Sequence, residues 1–418
     1  MKEIGHLYRF VLSAILLLVF VCVGAQPRSE AGALAVAHSF FEQSPRMAKA
    51  PKLVAVKEQT VGGMVRQRTG PLAGKVDEEM RFYVINDEAN DRFVIVSGDE
   101  RQLDVLGYSD DEIFDPENIP CGLSTFLEQY GREYELLQQK TVVSGPFGGD
   151  EQMVTVEASV PKRVAAISPL LKTKWNQSPY YNNDCPMDPR TNKRCVTGCV
   201  ATAMAQIMKY HNYPSVGQGS TSYTSSKNSI KQSMNFSQVQ FNWSKMLNSY
   251  DNNSSTAAVN AVAQLMHACG VSLHMDYGSN ASGSTIKNIP FALINFFKYP
   301  HNAVYYDRKY YTRDEWDKMI QNELKAGRPI AYRGVSDPDK DGNTGGHAFV
   351  LDGCDSDGRY HFNFGWGGSG NGYFYLSSIR PDEYGYTNYQ GMSCGIDPKL
   401  TGNKPEVRQP TQHPSAAF

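Results

Sequence analysis

The sequence has little net charge and lacks the short motifs that mark several large classes of protein. It contains 41 Lys or Arg and 43 Asp or Glu among 418 residues, a formal net charge of −2 at pH 7. This balance gives no electrostatic argument for binding nucleic acid or an anionic membrane. There is no phosphate-binding loop, no dinucleotide fingerprint, no basic-aromatic patch and no repeat of solenoid period. The sequence therefore implies no nucleic-acid partner, no organic cofactor and no metal.

Apolar runs long enough to span a membrane are also missing. Val11–Val23 is shorter than the stretch of about 20 residues that crosses a bilayer. Lys2 and Arg9 precede or flank its start, and Val23-Gly24-Ala25 offers small residues for cleavage. We therefore predict a secretory signal peptide over residues 1–25, with a membrane anchor as the alternative. The exported protein would be extracellular, or would lie in the periplasm or on the outer surface of a Gram-negative bacterium.

Cysteine is uncommon, with eight residues in the whole chain. Removal of the predicted signal takes away Cys22 and leaves seven, so at least one thiol stays free or pairs between chains. Export permits disulfides, and Cys185 and Cys195 flank a short polar loop and could pair with each other. The odd number is compatible with a catalytic thiol but does not require one.

The clearest helical pattern lies in Thr197–Pro214. Its apolar residues are spaced i, i+3, i+4, i+7, i+8, which predicts a helix with one buried face. Gly198 allows a tight entry, and Asn212 with Pro214 ends the helix. Cys199 is thus expected at the N-terminus, where unpaired N–H groups and the helix dipole lower a thiol pKa. From this segment alone, a nucleophile and a buried structural cysteine are equally good interpretations.

The first half of the chain is predicted to form a small α+β unit without candidate catalytic residues. The irregular segment 141–163 follows it and ends at Pro161-Lys162-Arg163, which we interpret as a linker exposed to proteases. An interdomain connection that is never cut is the alternative. The predicted elements of this half are a helix over 31–43, strands over 81–86 and 92–97, and a helix over 123–139.

From about Val164 onward, helices come first and strands afterwards. This order predicts an α+β domain of two subdomains, one helical and one β-rich, with a cleft between them. Residues 399–418 are expected to be a disordered tail. After the Cys199 helix, the predicted helices cover 257–269, 286–297 and 311–326, and the predicted strands cover 328–334, 347–353, 359–364 and 372–376.

Three further side chains could complete an acyl-transfer site. His347 opens an apolar strand directly after two glycines, which let another backbone approach closely, although a core histidine is the commoner case. Asn363, on the strand that folds back, could orient the imidazole, whereas alternation places its rival Asp352 on the opposite face. Gln177, in an upstream turn, could help the Cys199 N–H to stabilise an oxyanion. A thiolate nucleophile, an imidazole and oxyanion donors are what this chemistry needs.

Metal binding is the competing interpretation of the same cysteines. Cys185, Cys195 and Cys199 could form a zinc site with His211. A single CxxxC pair is a weak signal, however, and His211 lies about 18 Å from Cys199 along the predicted helix. We therefore disfavour a metal site.

With these residues in view, the chain resembles the streptopain and interpain family of secreted bacterial papain-like cysteine peptidases. The resemblance covers roughly residues 164–398 and extends more loosely to the FVIVSGD and LGYSDD segments of the first half. The motifs occur in the family's order, and they are the Trp-Asn-Gln segment ending at Gln177, GCVATAMAQIMKYHNYP from Gly198, MDYG from Met275, GGHAFVLDG from Gly345, and NFGWGG from Asn363.

The resemblance implies a zymogen. Residues 26–163 would be an inhibitory propeptide, removed near Lys162-Arg163, and residues 164–398 a papain-like catalytic domain acting on proteins or peptides. Phe364 stands where the family often has Trp. By the same resemblance, Cys199 would be the nucleophile, His347 the general base and acid, Asn363 the orienting residue, Gln177 the oxyanion donor, and Ser282, Ser284, Gly346 and Trp366 substrate contacts.

The sequence leaves two alternative functions open. One is a catalytically inactive binding or inhibitor protein on the same scaffold, which the presence of Cys199, His347, Asn363 and Gln177 disfavours. The other is a different acyl-transfer reaction at Cys199, such as transglutamination or cell-wall amidase chemistry.

Overall fold

The structure is a computed structural model that describes residues 27–43, 49–56, 81–139, 163–335, 346–377 and 390–402. The predicted signal peptide, residues 140–162 of the linker region and residues 403–418 of the predicted tail lie outside these ranges. Within them, no helix is both long enough and apolar enough to cross a bilayer.

Six α-helices occur in the described residues, and capping chemistry explains several of their ends. Thr312 accepts from the Glu315 N–H while the Glu315 carboxylate accepts from the Thr312 N–H, so the two residues form a capping box at the start of their helix. Asn212 adopts the left-handed conformation (φ 49°) that ends the helix before it. The helices are α1 (Glu30–Glu42), α2 (Cys121–Gln139), α3 (Cys199–His211), α4 (Thr256–Ser272), α5 (Asn288–Phe296) and α6 (Arg313–Lys325).

One antiparallel sheet of ten strands runs through both halves of the chain, in the order β1-β2-β3-β4-β13-β12-β11-β10-β14-β9. Two small hairpins, β5-β6 and β7-β8, lie apart from it. The strands are β1 (Leu53–Ala55), β2 (Phe82–Asp87), β3 (Arg92–Ser97), β4 (Val105–Ser109), β5 (Met187–Asp188), β6 (Lys193–Arg194), β7 (Ser220–Thr224), β8 (Lys231–Asn235), β9 (Val304–Asp307), β10 (Ile330–Val335), β11 (Gly346–Cys354), β12 (Tyr360–Asn363), β13 (Gly372–Phe374) and β14 (Gly391–Cys394).

The sheet joins the first half of the chain to the second, which the sequence did not predict. β4 pairs with β13, with Tyr108 opposite Tyr373 and Gly107 opposite Phe374. Apolar residues of β2, β3 and α2 then share one core cluster with those of β10–β14. The α+β organisation is confirmed, with a helical layer at one side and a β-rich part at the other.

Helix α3 lies between these two parts, with α4 on one side and β10 and β11 on the other. The sequence predicted one buried face, but all nine residues from Val200 to Met208 are buried. Among them are two polar side chains, Thr202 and Gln206, each at most 1% exposed. A helix enclosed on all sides must satisfy such groups internally, because water cannot reach them.

Candidate active site

Cys199 is the first residue of α3, as the sequence predicted. Gly198, just before it, has φ +86°, a conformation that side chains with a Cβ rarely adopt. A Cβ on Gly198 would also come within 2.9 Å of the Ser282 carbonyl oxygen. Glycine therefore lets the chain turn sharply into the helix and presents Cys199 at the helix N-terminus, half-buried beside the Met275–Ser284 loop.

His347 is the second residue of β11 and lies opposite Gly334 of β10. Its side chain is 3% exposed. The Nε2 atom lies 2.8 Å from the Phe364 carbonyl oxygen. A carbonyl can only accept, so Nε2 carries a proton and Nδ1 is left to face sulfur.

Cys199 and His347 each shift the pKa of the other. Burial opposes ionisation of Cys199, but the charge and hydrogen bond of His347, with the Ala348 and Val200 N–H groups, lower its pKa. Burial likewise opposes charge on His347, but the sulfur of Cys199 and that of Cys121 raise its pKa well above the usual range. Both shifts favour a thiolate–imidazolium pair.

Asn363 directly precedes Phe364, but its side chain forms hydrogen bonds with Thr173 and Gln206. Its Nδ2 donates to the Thr173 carbonyl at 2.7 Å, and its Oδ1 accepts from Gln206 Nε2 at 3.1 Å. Register explains this, because Asn363 lies opposite Val350 and not opposite His347. The acceptor that holds the His347 ring here is the Phe364 carbonyl, and orientation by the Asn363 side chain remains a prediction.

Gln177 lies beside the entry to α3. Its carbonyl accepts from the Thr197 N–H at 3.3 Å, two residues before Cys199. Nearby, the Gly367 N–H donates to the Trp175 carbonyl at 2.9 Å, which ties the loop after β12 to the same segment. Gln177 is half-buried, and its role as oxyanion donor remains a prediction.

The four predicted substrate residues divide into two kinds. The Ser282 hydroxyl donates to the Val196 carbonyl at 2.7 Å, and the Ser284 hydroxyl donates to the Leu273 carbonyl at 2.8 Å. Both hydroxyl groups thus donate hydrogen bonds to the main chain of the protein. Gly346 is exposed beside His347, and the Trp366 ring, 39% exposed, lies 6.4 Å from the imidazole.

The residues of the disfavoured zinc interpretation are spread along the fold. Cys185 and Cys195 are buried thiols close to the β5-β6 hairpin, whereas His211 is the last residue of α3. Burial raises the pKa of Cys185 to about 12 and that of Cys195 to about 11. The part of the chain that the structure describes holds no group of three His, Cys, Asp or Glu side chains suited to a metal ion.

Sequence reasoning missed the start of α2, which covers the imidazole. The Cys121 Sγ atom lies 3.0 Å from His347 Nδ1. A Cβ on Gly122 would come within 2.7 Å of His347 Cδ2 and 2.4 Å of Phe364 Cδ1, so only glycine fits between them. Residues of the first half of the chain therefore contact the imidazole of the candidate site. The only local signal was a Cys-Gly pair at a helix start, which by itself is not diagnostic.

Comparisons with known proteins give the family to which the chain belongs. The model of the peptidase C10 family matches residues 175–374, and that of the Spi protease inhibitor matches residues 25–134. Streptopain from Streptococcus pyogenes is 33% identical over 330 residues, covering 75% of this chain and 78% of streptopain. The chain belongs to the peptidase C10 family.

The C10 peptidase also resembles solved structures. A fragment of prointerpain A from Prevotella intermedia superposes with a TM-score of 0.63 at 28% identity, covering 76% of this chain and 96% of the fragment. Active interpain A superposes with a TM-score of 0.50 at 34% identity, covering 56% of this chain and 95% of that structure. The fold is therefore that of a papain-like cysteine peptidase with a propeptide, and the inhibitor-type match falls on the half that contains α2.

A further relative is the thiol protease/hemagglutinin PrtT of Porphyromonas gingivalis. It is 32% identical over 353 residues, which is 80% of this chain but 39% of PrtT. The C10 peptidase thus matches only part of that longer protein. The shared part supports cysteine peptidase activity.

Proposed function

We propose that Cys199 and His347 are the catalytic pair of this cysteine peptidase and that residues 26–163 keep it latent until they are cut away. The Cys199 thiolate attacks the scissile carbonyl, and the oxyanion is stabilised by the Cys199 N–H and by Gln177. The imidazolium gives its Nδ1 proton to the leaving amine. His347 then takes a proton from water, which attacks the thioester, releases the acid and restores the Cys199 thiolate and the imidazolium.

The contact of Cys121 with His347 carries the latency proposal. Nδ1 is the atom that must exchange a proton with the substrate, and the Cys121 sulfur lies against it. The main chain at Gly122 covers the ring from the same side. A substrate cannot reach Nδ1 while α2 is there. Release requires separation of α2 and of the β4–β13 pairing, which cleavage near Lys162-Arg163 would permit by uncoupling the two halves.

Export is part of the proposal. The charged start and short apolar run of residues 1–25 support a signal peptide. A latent precursor fits export, since an active thiol peptidase would attack the proteins of the cell that makes it.

The purified chain 26–418 should show a lag before it hydrolyses casein. We expect a fragment that begins near Val164, followed by new N-termini from casein and sensitivity to an epoxide inhibitor of thiol peptidases. The measurements are gels, N-terminal sequencing and amine release, with a trace of processed enzyme added if no cleavage starts. Cleavage at the linker without casein hydrolysis would favour a binding protein. Transfer of the acyl group to added amines, without hydrolysis, would favour the other acyl-transfer chemistry.

Adding one methyl group to Gly122 tests the latency contact. Gly122→Ala should increase peptide hydrolysis by the uncut precursor about tenfold, because overpacking of about 1–3 kcal/mol pushes α2 away from His347. The assay is the initial rate on a fluorogenic peptide, before any fragment is visible on a gel.

Gly131→Ala is the matched control for this change. It makes the same substitution in the interior of the same helix, where alanine has the higher helix propensity. Its Cβ would meet only the flexible side chain of Arg81 at 3.3 Å. Equal initial rates for both variants and the wild-type precursor would contradict the proposed role of this contact.

A further inference from the structure

A closed ring of hydrogen bonds lies beneath the catalytic pair. Thr173 Oγ1 donates to Gln206 Oε1 at 2.8 Å, and Gln206 Nε2 donates to Asn363 Oδ1 at 3.1 Å. Asn363 Nδ2 then donates to the Thr173 carbonyl at 2.7 Å. The three residues, which we term the polar ring, are at most 4% exposed, and Gln206 is fully buried.

Each member of the polar ring belongs to a different segment of the site. Thr173 precedes Gln177 by four residues, Gln206 lies two turns after Cys199 on α3, and Asn363 precedes Phe364. Gln206 Oε1 also accepts from the Trp175 N–H at 3.4 Å. Burying a glutamine costs free energy unless every polar atom is paired, and an apolar side chain would fill this position of α3 without that requirement.

The polar ring also shapes the turn that holds the imidazole. Besides Gln206, Asn363 Oδ1 accepts from the Gly365 N–H at 3.2 Å, so the amide spans Phe364. The Phe364 N–H donates to Asn371 Oδ1 at 3.0 Å. With both sides of Phe364 tied down, its carbonyl is directed at His347 Nε2. Without the polar ring, the Asn363 amide would no longer be fixed, and the turn would be held only on its Asn371 side.

We propose that Gln206 is a positioning residue for catalysis. This proposal rests on the proposed roles of Cys199 and His347. Through Asn363 it fixes the Phe364 carbonyl, and that carbonyl fixes the imidazole. It also holds α3 against the segment that leads to Gln177. Asn363 would then act on the peptide bond beside it and not on the imidazole ring directly.

Loss of the polar ring has a predictable effect on the pH profile. The Phe364 carbonyl accepts from Nε2–H and therefore stabilises the imidazolium form of His347. When it is no longer held, the pKa of His347 falls. The alkaline limb of kcat/KM, where the imidazolium loses its proton, should therefore move to lower pH.

The test compares processed enzymes carrying Gln206→Met, Thr173→Val or Thr173→Ser, prepared with immobilised wild-type enzyme that is then removed. For the first two we expect kcat per titrated active site to fall about 10- to 100-fold with little change in KM, as for a misplaced catalytic group. The alkaline limb should move down by about one pH unit, or 1.4 kcal/mol. Thr173→Ser keeps the hydroxyl and should restore both values.

Ser393→Ala is the matched control. Ser393 is fully buried, and its hydroxyl donates to the Ile286 carbonyl at 2.7 Å outside the polar ring. Its loss should lower the melting temperature and leave kcat and the alkaline limb unchanged. Wild-type values in both Gln206→Met and Thr173→Val would overturn the inference, and if Gln206→Met does not fold, Thr173→Val decides.

A second readout separates this inference from the proposed function. The pH dependence of Cys199 alkylation by iodoacetamide reports the His347 interaction without any turnover. If the wild type alkylates rapidly at low pH but hydrolyses nothing, the catalytic proposal fails. The polar ring is then still judged by whether Gln206→Met shifts the alkylation profile, and an unshifted profile would overturn it.

Discussion

Replacing Cys199 with alanine is expected to lower peptide hydrolysis by at least about 10⁴-fold and to stop self-processing. No other group at the start of α3 can form the acyl intermediate, and removal of a nucleophile typically leaves only the residual rate from oxyanion stabilisation and binding. The measurements are hydrolysis of a fluorogenic peptide by the processed protein and a gel time course of the chain 26–418. Binding of peptides should survive, because the loops around the site do not depend on the sulfur.

Cys269→Ala provides the control for that prediction. Cys269 is a fully buried thiol on α4, and burial raises its pKa, so it is not a thiolate near neutral pH. This variant should lose some stability through a small cavity and keep its activity. Residual hydrolysis within tenfold of the wild type in Cys199→Ala would show that another group is the nucleophile.

Replacing His347 with alanine is expected to lower kcat/KM by about 10³-fold or more and to change its pH dependence. The pair raises the pKa of His347 and lowers that of Cys199. Activity of the wild type should therefore fall at low pH, where the thiolate is protonated, and at high pH, where the imidazolium loses its proton. Without His347, the thiol pKa should return toward its ordinary value of about 8.5.

The measurement is the rate of Cys199 alkylation by iodoacetamide across pH in the processed enzyme. In His347→Ala the reactive form should appear only as pH rises toward that ordinary range. His274→Ala is the control, because His274 is exposed and stacks on Tyr223 away from the pair. An unchanged alkylation profile in His347→Ala would contradict the ion pair.

Local patterns predicted those parts of the fold that depend on neighbours in the chain. The bounds of α3, with its end at Asn212, follow from the spacing of apolar residues and from residues that end helices. The strand Arg92–Ser97 was predicted correctly for the same reason. By contrast, β1, β4 to β9 and β14 were missed, since such short strands form only when a partner strand is present.

Pairing between distant strands of the sheet explains the contacts at the site that the sequence did not predict. Antiparallel register sets Asn363 opposite Val350, so that the neighbouring Phe364 carbonyl meets His347. No single-strand pattern contains that register. The same holds for α2, because the contact of Cys121 with His347 joins residues 226 positions apart.

The sequence by itself determined the chemistry, since a thiol at a helix start, a histidine at a strand start and the family's motifs all depend on local order. Only the tertiary structure decided what holds those groups in place. The Phe364 carbonyl, the polar ring of Thr173, Gln206 and Asn363, and the cover of Cys121 and Gly122 each join distant segments. Such contacts form when sheet register and packing bring those segments together, and the free energy that selects them comes from burying the whole core.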